Sequence, residues 1–207
     1  MKLEVVDING KPTGRSVELP DEIFGLEPND HVVYLAVKAA QANMRQGTHS
    51  AKERNAVKGS TRKIKKQKGT GTARAGDIKN PLFRGGGRIF GPRPRKYTQR
   101  LNKKVRRLAR NTALSGKAAE KKIVMVENFT YEQPSTRQFA DMLRNLDLDQ
   151  QKSLILMGDY DKNLYLSSRN IPNTKMIHLK DVNTLDILTA NTLLMSENCI
   201  EYLNELV

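Results

Sequence analysis

Residues 61–76 read TRKIKKQKGTGTARAG, and they lie inside a longer stretch, 45–110, that decides how the chain divides. That stretch carries 22 Lys and Arg against two acids, Glu53 and Asp77. The rest of the 207-residue chain holds 14 basic and 20 acidic side chains. The net charge of +14 is therefore a basic insert of +20 in a body of −6. Such a segment repels itself, and its natural counterpart is a polyanion. Between 45 and 98, Leu, Ile, Val and Phe number 7 of 54 residues, below the roughly 20% at which charged segments fail to fold alone. Nine of the 14 glycines fall there too. Gly85-Gly86-Gly87 and Gly91-Pro92-Arg93-Pro94 forbid helix and disfavour a central strand. As an out-and-back excursion, 47–98 has roughly 26 residues each way and reaches at most about 80 Å. Its ordering can come from a partner.

Periodicity holds on both sides of the insert. Residues 2–8 and 15–19 are β-like about an Asn9-Gly10 turn and predict a hairpin that Pro20 ends. A helix starts at Asn29 or Asp30, buries Val33, Ala36, Val37, Ala40 and Met44, and takes Gly47 as its C-terminal cap. After the insert, Leu101, Val105, Leu108 and Thr112 mark the core face of a helix over 98–115, with basic residues opposite. Strands follow at 123–126, 153–157, 176–179 and 192–195. Between them come helices at 135–146, 163–171 and 182–190. The first opens on a Ser135/Gln138 capping box and buries Phe139, Met142, Leu143 and Leu146. A last helix, capped by Ser196, turns Ile200, Leu203 and Val207 inward. Near-continuous apolar strands alternating with helices predict an α/β fold. The expectation is one globular domain, 1–46 and 99–207, with a mostly parallel, Rossmann-like sheet flanked by helices. A long extended basic loop, 47–98, is added to it.

Several functions lose ground on spacing. Gly69-Thr70-Gly71 through Gly76 follows KIKKQK rather than a strand, so it is no dinucleotide fingerprint. Gly86 to Gly91 has a phosphate-loop gap, but Pro92 stands where Lys is required. His31, His49 and His178 are isolated and Cys199 is the sole cysteine, so neither a metal site nor an internal disulfide is expected. His178 and Cys199 read as packed residues. Asp159 and Asp161 follow a strand end, where an enzyme would place acids, though a solvated turn is the plainer reading. No run of about 18 apolar residues appears, and the N-terminus resembles neither a signal nor a transit peptide. A single cysteine and a pI near 9.9 favour a cytoplasmic protein that meets nucleic acid rather than membrane. Phe83, Phe90 and Tyr97 either stack on bases or pack at the insert's own base.

Basic side chains offered as contacts in the insert are Arg45, Lys52, Arg54, Lys58, Arg62, Lys79, Arg84, Arg88, Arg93, Arg95 and Lys96. In the following helix they are Lys103, Lys104, Arg106 and Arg107. Arg suits bidentate phosphate contact and Lys point-charge neutralisation.

Four motifs then carry a resemblance. RQGT at 45–48, QKGTGTARAG at 67–76, GGG at 85–87 and NKK at 102–104 are similar to those of the bacterial large-subunit ribosomal protein L four family. The likeness covers essentially the whole chain. It implies a globular domain on the ribosome exterior and a loop that penetrates large-subunit rRNA. In that family the loop tip helps form the nascent-peptide exit tunnel beside ribosomal protein L twenty-two. The resemblance adds Gln46, Thr48, Lys63, Lys65, Lys66, Gln67, Lys68, Gly69, Thr70, Gly71, Arg74, Gly85, Gly86 and Asn102 to the expected rRNA contacts. It puts the tip at 62–74, with Lys63, Ile64, Lys65 and Lys66 at the tunnel wall. Many relatives carry Pro-Trp-Arg where this chain has Ile64-Lys65-Lys66, and the chain has no Trp, so stacking by an indole there is not available.

The reading is thus a ribosome-bound, non-enzymatic RNA-binding protein that supports subunit assembly. It has no cofactor, metal or small-molecule substrate, and its partners are rRNA and neighbouring large-subunit proteins. The rival is an RNA-acting enzyme that binds Mg²⁺ at Asp159 and Asp161. A DNA packager comes third, since such proteins rarely need an α/β body of this size.

Overall fold

A computed structural model describes residues 1–205 and divides them into two compact units. One comprises residues 1–41 and those from 100 onward; the other is 42–99. The first unit contains a six-stranded sheet in the order β2-β1-β3-β6-β4-β5. β1 (Lys2–Val6) and β2 (Pro12–Glu18) form the expected antiparallel hairpin. β3 (Ile123–Val126), β6 (Thr192–Ser196), β4 (Ser153–Met157) and β5 (Thr174–His178) continue the sheet from β1 in parallel. The fold is α/β with a mostly parallel sheet, as the alternation predicts.

Successive side chains on a strand point to opposite faces, so a strand apolar at every position needs a core on each. Two such cores exist. Leu154, Leu156, Leu193 and Met195 enter one, with Leu114, Ala118, Ile187 and Leu203. Ile155, Met157 and Leu194 enter the other, with Phe139, Met142, Leu143 and Leu164. The first is covered by α1 (Asp21–Phe24), α3 (Lys103–Ala119), α6 (Thr184–Thr189) and α7 (Cys199–Glu205), the second by α4 (Thr136–Asn145) and α5 (Lys162–Ser168). Ser135 caps α4 by accepting from Gln138 N at 3.4 Å, as its capping box predicts. Among the described residues no helix is long and apolar enough to cross a membrane.

Several boundaries differ from expectation. α1 lies where no element was expected; four residues are too few for a periodic signal. α3 runs past Ser115-Gly116 to Ala119. Burial of Leu114 and Ala118 outweighs the roughly 1 kcal/mol that a helical glycine costs. Its stop is Lys121, at φ 55°, with Lys122 N donating to Lys117 O. α4 ends likewise at Asp147, also φ 55°, so neither helix takes the glycine that usually marks such an end. Leu108 is exposed because α3 packs through the smaller Ala109, Ala113 and Ala118, which allow close approach to α1 and α6. Ser115 Oγ lies within 2.9 Å of both Phe24 O and Leu26 O. α2 (Asp30–Met44) starts at the expected place, where Asn29 Oδ1 accepts from Val32 N at 3.2 Å. It buries Ala36 and Ala39 and leaves Met44 exposed, not buried as the periodicity suggests. Val207, expected on the inward face of α7, lies outside the described residues.

His178 is not packed in the middle of a strand. Its Nδ1 accepts from Lys180 N at 3.0 Å at a 3-10 turn, Leu179–Asp181, and its ring meets Tyr202 edge-on. Cys199 is packed, as expected. Its thiol donates to Leu156 O at 3.1 Å, and burial pushes its pKa up to about 11. A buried neutral thiol is a poor nucleophile. A thiol reagent at pH 8 is expected to leave the native protein unmodified and to label it fully once urea unfolds it. Rapid labelling of the native state would show that the α7–β4 contact opens readily.

Candidate nucleic-acid interface

The 42–99 unit has neither helix nor strand between 45 and 99, yet it is not structureless. Backbone hydrogen bonds tie its outgoing and returning limbs together. Arg95 N donates to Gly47 O at 3.1 Å, Ala51 N to Pro92 O at 2.9 Å, and Arg88 N to Lys52 O at 2.9 Å. Further along, Ile64 N donates to Gly76 O at 3.0 Å, and within the returning limb Gly87 N donates to Lys79 O at 2.9 Å. To any order that a partner supplies, the segment therefore adds pairings of its own. A low apolar fraction does not stop limbs from pairing where glycine lets their backbones approach.

Two glycines show this. Gly47 was expected to cap α2. Instead α2 ends at Met44, and Gly47, at φ 66°, seats the returning limb: a Cβ there would lie 2.0 Å from Arg95 O. At Gly87 a Cβ would lie 2.3 Å from Arg54 N.

Both acids of the basic stretch are spent across these limbs. Asp77, 3% exposed, accepts at Oδ2 from Arg54 Nε (3.2 Å) and Nη2 (3.0 Å). Glu53 pairs with Arg93, whose Nε donates to Oε1 at 2.7 Å. Tyr97 is held between cations, with the Arg45 and Arg95 guanidinium carbons 4.0 and 4.8 Å from its ring centre. It therefore packs at the base of the unit, the second of the two roles open to it. Phe90 does not: it is fully exposed.

Nearly all of the expected contact residues lie at the surface of their own unit. Arg45, Gln46, Thr48, Lys52, Arg54 and Lys58 are exposed, as are Arg62 through Gly71 and Arg74. So are Arg84, Gly85, Arg88, Arg93, Arg95 and Lys96. Lys79 and Gly86 are half-buried. At the tip, Lys63 donates to Gln67 and Lys65 to Thr72 Oγ1, the latter at 2.7 Å. Such exposed contacts are worth little in water and leave both ammonium groups available. Arg45, Arg54, Arg93 and Arg95 have internal partners besides any external one. In the other unit, Asn102, Lys103, Lys104, Arg106 and Arg107 are exposed along the start of α3. Burial and neighbouring Arg107 lower the pKa of Arg110 from its ordinary value.

Sequence reasoning missed Glu53 and Asp77 as the limb fasteners. Their rarity among 22 bases was the available signal. The carboxylates of the rival reading have structural work. Asp161 Oδ1 caps α5, accepting from Asn163 N at 2.7 Å. Asp159 accepts from Tyr202 Oη at 2.6 Å and from Asn198 Nδ2 at 3.2 Å. Among the described residues no three His, Cys, Asp or Glu side chains are grouped to hold a metal ion.

Comparison with known proteins agrees with the sequence resemblance. Residues 17–206 match the model of the family described as "Ribosomal protein L4/L1 family". The chain is 56% identical to the large ribosomal subunit protein uL4 of Flavobacterium psychrophilum, over 99% of this chain and 98% of that protein. It is 54% identical to the uL4 of Christiangramia forsetii, over 97% of each chain. With the uL4 of Phocaeicola vulgatus it shares 48% identity over the full length of both.

Proposed function

The chain belongs to the ribosomal protein L4/L1 family, as a bacterial uL4, and from that premise we propose that its 42–99 unit binds large-subunit rRNA and shapes the peptide exit tunnel. Membership makes it a structural, non-enzymatic component of the large ribosomal subunit. The observation that carries the rRNA reading is the disposition of charge. Only two acids accompany 22 bases over 45–110, both are consumed in limb pairing, and all the bases but half-buried Lys79 and Arg110 are exposed. A surface of that sign draws a polyanion and gains by releasing its counterions.

In this reading the segment near Lys63, Ile64, Lys65 and Lys66 reaches the tunnel wall beside ribosomal protein L twenty-two. The exposed cations of α3 take further phosphates, and assembly of the subunit depends on the insert. The protein works in the cytoplasm, bound to the ribosome.

Two measurements test this. Sedimentation of a tagged protein from lysate at low magnesium is expected to place it stoichiometrically with the large subunit. A chain lacking 47–98 is expected to be lost from that fraction. Purified full-length protein titrated with large-subunit rRNA is expected to lose affinity steeply with salt. If about 10 phosphates are engaged, log affinity falls against log salt with a slope near −9. A flat salt dependence, or normal incorporation of the deleted chain, would overturn the proposal.

A further inference from the structure

Phe90 is the most exposed large apolar side chain of the described residues, and its backbone lies in the left-handed region at φ 56°. Both features are unfavourable by themselves. A side chain with a Cβ resists that backbone, and a fully hydrated phenyl ring gains nothing from folding. The surrounding chain nevertheless fixes the conformation. Arg88 N is bonded to Lys52 O on one side of Phe90, and Ala51 N to Pro92 O on the other. Gly91, next to it, is so close to the outgoing limb that a Cβ would lie 2.3 Å from Ala51 Cβ. The 88–92 turn is thus clamped to the outgoing limb on both sides while its ring is left in solvent. Strained backbone over-determined by its surroundings concentrates at functional positions.

The setting selects the ligand. Arg88 and Arg93 lie within three residues of Phe90, and Lys52 lies on the limb it is clamped to; all three are exposed, and Glu53, the acid next to Lys52, is taken by Arg93. An exposed aromatic face in a cation-rich turn suits a nucleotide, whose base stacks while its phosphate is neutralised. Tyr97, by contrast, has its ring covered by two guanidinium groups. We infer that Phe90 is a base-stacking anchor of the insert, its ring taking one unpaired base of rRNA while Arg88 and Lys52 take the flanking phosphates. The inference rests on the rRNA-binding reading above and deepens it.

The absence of tryptophan from the chain makes a clean test possible. In full-length protein, Phe90→Trp is expected to bind naked large-subunit rRNA as the wild type does. Its single indole should be quenched on binding, as stacking on a base requires. Phe90→Ala and Phe90→Leu are both expected to weaken binding about five- to hundred-fold, the loss of one stacked base. Their salt slope should be unchanged, because no charge is removed. Because the ring is exposed, none of these variants removes a core contact. Wild-type affinity in Phe90→Ala would overturn the stacking role. So would a Trp emission that stays unquenched, or only shifts to the blue, in the bound complex, the latter marking an apolar protein contact instead. Failure of the wild type to bind rRNA would overturn the parent reading as well, so the two failures are distinguishable.

Discussion

Gly87→Ala is expected to unbuild the base of the 42–99 unit while leaving the sheet of the other unit intact. The new Cβ would lie 2.3 Å from Arg54 N, 2.5 Å from Arg54 Cα and 2.7 Å from Glu53 C. All three are backbone atoms, so no rotamer change relieves the clash. The glycine cannot simply withdraw, because its own N–H is bonded to Lys79 O at 2.9 Å. Relief requires the limbs to part at 53–54, which is where both acid–base fasteners start. The cost is at the upper end of the about 1–3 kcal/mol typical of overpacking, or above it. Amide hydrogen exchange checks this: Ala51, Gly87 and Arg88 are expected to lose protection while β4 and β6 keep theirs. Incorporation into the large subunit should fall with it. Gly76→Ala is the control. Nothing lies within 4 Å of its added Cβ, and the change should be nearly neutral, within about 0.5 kcal/mol. Equal protection in the two variants would mean that the limbs are not held at 53–54.

The body was legible because its signals are local and repeated. Four apolar strands and their intervening helices can be recovered from alternation, and the Ser135 cap from three residues of spacing. Errors fell where a tertiary contact overrode a local rule. Leu108 follows the helical period but faces solvent, because α3 docks through alanines. Gly116 has the chemistry of a helix end, but the left-handed stop is Lys121. The insert was legible in charge and illegible in shape. Its pairings, 47 with 95 and 52 with 88, join residues tens of positions apart with no periodic pattern behind them. What they need is a glycine at a particular crossing, and the segment holds nine glycines with no local mark of which ones cross. The contact residues along 45–107 could be proposed from charge, but not the fact that Arg54 and Arg93 also serve the fold.

That double service yields the other large expected effect: Arg54→Met should destabilise the unit far more than loss of one surface cation would. Asp77 is 3% exposed, and its Oδ2 takes both Arg54 donors. Without the guanidinium a carboxylate stays buried with no cation beside it, which in a fully buried pair costs about 3–5 kcal/mol. Arg54 itself is 57% exposed, so solvent screens the pair, and about 2–3 kcal/mol is the fitting expectation. Arg54→Lys separates the two roles. An ammonium neutralises a phosphate as well as an arginine does, but it cannot reproduce the two donors, Nε and Nη2, aimed at one oxygen. If Arg54 served only as a phosphate contact, Arg54→Lys would be silent; as a fastener, it should cost a substantial part of what Arg54→Met costs. Adding Asp77→Leu to Arg54→Met should restore stability, since it removes the stranded charge rather than a contact. The readout is exchange protection at Asn80 N, which donates to Asp77 O at 3.3 Å. Restored stability with weakened rRNA binding would leave Arg54 holding both roles. A double variant no better than Arg54→Met would show that the carboxylate's burial is not what fastens the limbs. The physical point is the division of labour among charges. In a segment of 22 bases, like-charge repulsion opposes any fold, and each of the two acids is set across the limbs rather than along one, where it supports the backbone pairings. If the insert binds rRNA as proposed, its paired limbs reduce the ordering left to be done on binding.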